Sequence, residues 1–408
     1  MPDRAPRFPE VDSLRAVAAL AVLGTHAAIF AGAAYPGSIV GRYAERLEVG
    51  LTIFFVISGF LLYRPVVAAR VDGAGAPGVA GYAWRRFLRI APAYWVALTV
   101  SAVVLSKHEV FTASGIPSFY LLAQSYRGAT LPGGLTQAWT LTVEVAFYAF
   151  LPVWAWFMRR VAGSSLRAEA GGLLALFGAS AVYKAVVLSG MDPHQVVITP
   201  LLIALPAYLD QFALGMGLAV LTVHLQRRRG APAAVRVVDR WPLLPWAVAL
   251  IAFWVVSTRI GIGDRLFEPM TPSQYLARHW LYALIALMLV LPAVIGTPGV
   301  GVVRRLLANP VLAWLGLISY GIYLWHFTGL SLLQRWGVVD ALGIHPYIAW
   351  PLAGLAVAAI VAAVSWYALE RPVLGLKRLV GGGRSRPARL PVRPEETPAV
   401  RVPQGPGR

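Results

Sequence analysis

Arg15 and His26 stand eleven positions apart in a run that is otherwise almost wholly apolar. At 100° and 1.5 Å per residue, eleven residues turn the chain about 20° past three full turns and advance it about 16.5 Å. Both side chains therefore lie on one helix face, at two depths. A lone His on an apolar helix is commonly a hydrogen-bonded structural residue, and the Arg on the same face is what favours a working role here. Asp12 and Ser13, just before this pair, offer capping side chains for the helix start.

Six other stretches carry groups able to do chemistry. Ser58 and Gly59 form a small pair that permits close helix contact; helix packing is the favoured reading of Ser58, with a substrate hydrogen bond as the alternative. Arg86 and Arg89 are three apart and share a helical face. They serve equally as topology anchors and as a fixed pair of guanidinium forks for the phosphates of a nucleotide-like donor. In Trp139–Glu144, followed by Tyr148, the carboxylate of Glu144 falls at the depth expected for His26. There it would hold the imidazole in one tautomer, unless it pairs structurally with another helix. Ser319, Tyr323 and His326 share one face of a later helix, and Asp210 is a second carboxylate near the middle of a span. Trp139, Tyr323, His326 and Asp210 join Ser58 as candidate substrate contacts, against the plainer readings of interfacial anchors and structural polar groups. Glu370, Arg371 and Pro372 read as an ion pair and a helix stop.

The elements that must position these residues follow from composition. Of 408 residues 58% are hydrophobic and 13% charged, where soluble domains carry about 25% charged residues. That excludes an ordinary water-soluble enzyme. Apolar runs at 13–31, 49–67, 90–107, 136–157, 170–188, 199–221, 242–258, 275–294, 311–333 and 349–369 are each of membrane-crossing character. The sequence predicts an all-α polytopic membrane protein, a bundle of about ten transmembrane helices in the cell membrane. The Lys and Arg residues concentrate in the segments that share a side with the N-terminus, which predicts both termini cytoplasmic. This distribution also accounts for the net charge of +18 without any nucleic acid. The chain has no cysteine, so thiolate chemistry and Cys-bound metals are excluded, and His26, His326 and Asp210 lack the local spacing of a metal site. Residues 1–374 read as the membrane domain and 375–408 as a basic, Pro/Gly/Arg-rich disordered cytoplasmic tail facing anionic lipid. No inverted internal repeat of the transporter kind is visible.

Taken in order, Asp12 to Arg15 with His26, Phe54 to Phe60, Arg86 to Arg89 with Pro92 and Tyr94, Trp139 to Glu144 with Phe147 and Tyr148, Ser319 to His326, and Glu370 to Pro372 form a pattern. In it the chain resembles the acyltransferase family 3 integral membrane proteins over residues 8–373. That family transfers acyl groups to sugars and related acceptors. The resemblance implies a ten-helix domain that takes acyl-CoA, with Arg15, His26, Arg86 and Arg89 as its key residues. No hydrolase-like domain is expected after the last helix, unlike the fused members. Val145 stands where the family often shows a second acidic residue, which tells against a paired-carboxylate role.

Within that implication, Arg15, Arg86 and Arg89 would hold the phosphates of an acyl-CoA, acetyl-CoA foremost, and no metal is required. The pantetheine arm would bring the thioester to His26, which acts as general base on an acceptor hydroxyl while Glu144 orients its ring; an acylated His26 is the competing route. The acceptor would be a cell-surface glycan, a lipid-linked sugar or a glycosylated metabolite. The alternative from a different class is a transporter or flippase that uses the intramembrane His, Glu and Asp for proton coupling.

Overall fold

The computed structural model describes residues 8–32, 39–74, 78–128, 133–227, 232–262, 269–297 and 299–379. The expected tail lies, from residue 380 onward, outside the described residues. Among the described residues eleven helices build the bundle: α1 Pro9–Phe30, α2 Val49–Val71, α3 Val79–Val104, α4 Trp139–Val161, α5 Leu166–Ser189, α6 Leu205–Gln226, α7 Leu244–Thr258, α8 Pro272–Val294, α9 Pro310–Leu317, α10 Ser319–Arg335 and α11 Pro346–Ser365. Among the described residues the only strand-like feature is one isolated bridge, Asp192 to Gln195. This is the outcome required in hydrocarbon, where each segment must satisfy its own backbone.

Among the described residues, eight helical runs are long and apolar enough to cross a membrane. Two of the ten predicted spans depart from straight crossings. The span predicted over 311–333 is broken at Ile318 into α9 and α10, which meet at 72°. The span predicted over 242–258 is a 15-residue helix, about 22 Å long, because Pro242 and Pro245 delay its start. The last span also runs on past its predicted stop. Trp366–Glu370 form a π-helical turn that leads straight into Arg371–Gly375. Pro372 is accommodated in the first turn of that following segment, where its missing N–H leaves no helix bond unmade.

The first helix starts earlier than predicted, at Pro9, with Phe8 at its N-cap. Ser13 is therefore inside the helix and does not cap it; its hydroxyl donates to the Leu307 carbonyl at 2.5 Å. Helix α1 packs on α2, α9, α10 and α11 and forms the hub of the bundle. Apart from the face that carries Arg15 and His26, it is largely apolar between Ala16 and Phe30, as suits a helix surrounded by others. The longest contact is that of α2 along α6. It depends on two glycines: a Cβ on Gly59 would stand 2.3 Å from the Phe212 carbonyl oxygen, and one on Gly215 2.0 Å from that of Val56. Such backbone contact is how helices gain packing in lipid, where no hydrophobic drive acts between them.

Candidate functional site

A cleft with about 790 Å³ of empty space opens between α1, α2, α3, α4 and α10. Its polar lining comprises Arg15, Ser58, Arg86, Arg89, Thr140, Glu144, Tyr148, Tyr320 and Tyr323. Six of these, Arg15, Ser58, Arg86, Arg89, Glu144 and Tyr323, are residues that the sequence singled out, brought together from five helices.

One end of the cleft is strongly basic. The Arg89 guanidinium lies over the rings of Tyr320, at 5.6 Å, and Trp366, at 5.8 Å. Its Nη1 is 3.9 Å from Glu370 Oε2. The π turn in the last helix is what sets Trp366 and Glu370 around Arg89, a frequent use of such bulges. Glu370 is thus a buried partner of Arg89 rather than the second half of a local ion pair that closes the helix. Tyr320 is itself fixed, since its hydroxyl donates to the Ile90 carbonyl at 3.0 Å. Arg86 lies over Tyr148 at 5.7 Å, and its Nε is buried with no hydrogen-bond partner among the described residues. Arg15 lies within electrostatic range of Arg89 and Glu144. Three guanidinium groups so close to one another, with two carboxylates beside them and an orphaned N–H, are suited to an anionic ligand of several oxygens.

Glu144 belongs to this basic end. It accepts hydrogen bonds from Ser58 Oγ at 2.9 Å and from Tyr148 OH at 2.5 Å. The depth match with His26 assumed that α4 begins at the surface of the bundle. Instead the turn Thr136–Ala138 dips inside, with Gln137 and Ala138 buried. Gln137 Nε2 donates to the Leu324 carbonyl at 2.8 Å, level with the middle of α10. Glu144 lies six residues, about 9 Å, beyond Ala138, and so falls towards the arginines. The described hydrogen bonds of Glu144 and His26 have no member in common.

Towards its other end the cleft is lined by Leu51, Phe54, Thr140 and Tyr323. The Tyr323 hydroxyl contacts Thr140 Oγ1 and donates to the Gln137 carbonyl, and its ring is 6.3 Å from that of Phe54. Beyond Tyr323, its ring 6.0 Å away, lies His326, fully buried, and against it the partly exposed His26. His326 Nε2 is 3.0 Å from His26 Nδ1. Sequence reasoning named both residues and left His326 as a contact to substrate or helix. Their pairing joins α1 to α10 across 300 residues, and no local spacing carries a signal for it.

Asp210 and Trp139 do not line the cleft. Asp210 is completely buried between α5, α6 and α8, with Lys184 Nζ at 2.7 Å from Oδ2 and His279 Nε2 at 3.0 Å. Lys184 also donates to the Ala207 carbonyl at 2.8 Å and to Ser180 Oγ at 3.0 Å. Asp210 and Lys184 are thus fully buried and satisfy one another. Trp139 packs against Tyr208, ring centroids 5.8 Å apart. Residues of the site that the sequence reading passed over are Thr140, which borders the cleft, and Trp366. His279, in the buried cluster, was also missed; its one available signal was an ionisable residue inside an apolar run. Among the described residues no group of three or more His, Asp and Glu is arranged to hold a metal ion.

Comparison with known proteins adds the following. Residues 8–370 match the family model described as "Acyltransferase domain". The chain is 24% identical over 381 residues to the "Peptidoglycan O-acetyltransferase OatA" of Listeria monocytogenes, covering 90% of this chain and 55% of that protein. It is 26% identical over 385 residues to the "Putative peptidoglycan O-acetyltransferase YrhL" of Bacillus subtilis, covering 90% and 55%. It is 23% identical over 359 residues to a "Putative O-acetyltransferase" of Staphylococcus aureus (strain COL), covering 83% and 53%. The chain spans about half the length of the curated relatives it matches. No solved structure matches it.

Proposed function

The chain belongs to the family of integral membrane acyltransferases whose domain matches residues 8–370, and we propose that it moves an acyl group, acetyl foremost, from acyl-CoA to a hydroxyl of a carbohydrate acceptor. Cell-wall glycan of the peptidoglycan type is the acceptor class indicated by the names of its relatives. It does so as a multi-pass protein of the cell membrane.

The observation that carries this reading is the polarity of the cleft along its length. Arg15, Arg86 and Arg89 form its basic end, and His26 lies past its other end, about 16.5 Å along α1 from Arg15. In this reading the arginines bind the phosphates of coenzyme A by bidentate, charge-assisted contacts. The thin pantetheine arm runs past Ser58 and Tyr323 and delivers the thioester to the imidazole. His26 takes the proton of the acceptor hydroxyl as the oxygen attacks the thioester carbon, and returns it to the departing thiolate. Base assistance of this kind is worth roughly 10²–10⁴-fold. Glu144 keeps Ser58, Tyr148 and Arg15 in place at the basic level, with no part in orienting the histidine.

The test is transfer of label from a series of acyl-CoA donors into glycan fractions by proteoliposomes that hold the full chain or its His26→Ala variant. Label incorporated by the wild type alone supports the reading. Full transfer by His26→Ala at equal abundance defeats the role given to His26. Substrate that crosses the membrane at unchanged mass, with no transfer from any donor, defeats the acyltransferase reading in favour of a transporter.

A further inference from the structure

Carbonyl oxygens accept hydrogen bonds and never donate them, and this settles where the protons of the histidine pair reside. His326 Nδ1 is 2.9 Å from the Tyr323 carbonyl oxygen and 3.2 Å from that of Ile322, so it carries a hydrogen. His26 Nδ1 is 3.0 Å from the Val22 carbonyl oxygen, so it carries one as well. In the neutral pair His326 Nε2 is then a bare lone pair, 3.0 Å from His26 Nδ1, and it shares the single His26 Nδ1–H with the Val22 carbonyl in a three-centre bond. The nitrogen of His26 left without a proton is Nε2, the one that none of its described hydrogen bonds engages.

We propose that His326 is the positioning residue of His26: a buried neutral imidazole that locks the base in the tautomer with Nε2 free, and that supports it when it becomes charged. The proposal rests on the reading of His26 as the general base of acyl transfer. It assigns to His326 the part that a carboxylate plays in a hydrolase triad. A neutral acceptor suits this place, because a carboxylate in a fully buried intramembrane position would need a cation of its own. The support is built in depth. Gln137 Nε2 donates to the Leu324 carbonyl at 2.8 Å and lies 3.4 Å from that of Tyr323, which holds the segment of α10 that grips His326. The Phe327 ring meets His26 edge to face at 5.3 Å and limits its rotation.

The step balances without any further reactant. As the acceptor oxygen forms its bond to the thioester carbon, its proton passes to His26 Nε2. The resulting imidazolium keeps its Nδ1–H directed at His326 Nε2. Collapse of the tetrahedral intermediate breaks the C–S bond, and the thiolate leaves with the proton from His26 Nε2. The products are the ester and the free thiol, and both histidines end in their starting tautomers.

The test is steady-state acyl transfer by the full-length protein, with His326→Leu, His326→Gln, His326→Ala, His26→Ala and the double variant His26→Ala/His326→Leu, each checked for a single detergent-solubilised species. We expect His326→Leu to lower kcat about 10²-fold with donor KM within twofold, a smaller effect than the roughly 10⁴-fold caused by a wrong tautomer in a triad. His326→Gln, whose amide oxygen can accept the same hydrogen, should retain at least tenfold more activity than Leu. Imidazole added to His326→Ala should restore part of it. The double variant should be no slower than His26→Ala alone, since residues that act as one unit are not additive. Wild-type kcat in His326→Leu overturns the proposal, as do equal losses in Gln and Leu with no imidazole rescue. Should the Leu variant fail to fold, ¹⁵N spectra of histidine-labelled wild type, assigned by the resonances lost in His26→Gln, decide. A protonated Nδ1 and bare Nε2 at His26 supports the proposal, and the opposite tautomer overturns it. Activity in His26→Ala would instead show that the base assignment itself is wrong, which keeps the two failures distinct.

Discussion

Arg89 on α3 and Glu370 in the π turn after α11 lie 3.9 Å apart, Nη1 to Oε2, and this relationship shows how the basic end of the cleft is assembled. The carboxylate lies beside one edge of the guanidinium, at ion-pair rather than hydrogen-bond distance, while Tyr320 and Trp366 flank it, so the fork is restricted before any ligand arrives. Preorganisation of this kind makes Arg and Lys unequal at such a site.

Replacing Arg15, Arg86 or Arg89 singly by Lys should therefore raise the donor KM about tenfold, or about 1.4 kcal/mol, with a smaller effect on acceptor KM. Initial rates over a matrix of donor and acceptor concentrations check this. Donor dependence unchanged in all three variants would reduce these residues to topology signals.

The hydrogen bonds that Ser58 and Tyr148 donate to Glu144 separate two roles for the carboxylate. Ser58→Ala and Tyr148→Phe each remove one bond to a charged group, worth about 1.5–3 kcal/mol, and transfer should slow by about tenfold or more. Glu144→Gln should act mainly on donor KM through Arg15. A collapse of kcat at constant donor KM would return Glu144 to the chemistry at His26.

The Lys184–Asp210–His279 cluster makes a prediction about stability rather than activity. Lys184→Met leaves the fully buried Asp210 with His279 as its remaining side-chain partner, and breaking a buried pair on one side costs about 3–5 kcal/mol. Thermal unfolding in detergent should fall sharply for this variant and recover in Lys184→Met/Asp210→Leu, because removing both charges is often close to neutral. Folded protein of either variant should keep its affinity for acceptor. A specific rise in acceptor KM would reinstate Asp210 as a substrate contact.

The crossing of α2 and α6 sets a steric prediction. An added Cβ at Gly59 or Gly215 would meet a carbonyl oxygen at 2.3 or 2.0 Å, and such overpacking costs about 1–3 kcal/mol or more. Gly59→Ala should lower the yield of monodisperse protein, and Gly215→Leu should abolish it. Size-exclusion profiles of the two variants beside Gly217→Ala, where the added Cβ meets nothing within 4 Å, make the comparison.

The sequence alone determined the class of the protein, because a bilayer leaves so few options. Apolar runs of crossing length must become helices, and an ionisable residue inside one must have a reason to be there. Helical periodicity also sufficed to put Arg15 with His26, and Arg86 with Arg89, on single faces, since each pair lies within one element. Relations between elements were a matter for the tertiary structure. That Glu144 sits with the arginines follows from the turn Thr136–Ala138, which enters the bundle before α4 begins, and no count of residues from a presumed surface reveals such a dip. That Asp210 is paired with Lys184 and His279 depends on three helices meeting. The break at Ile318, the π turn at Trp366–Glu370 and the contact of His26 with His326 arise in the same way. Each is fixed by packing between segments far apart in the chain, whereas sequence periodicity reports only the geometry within one.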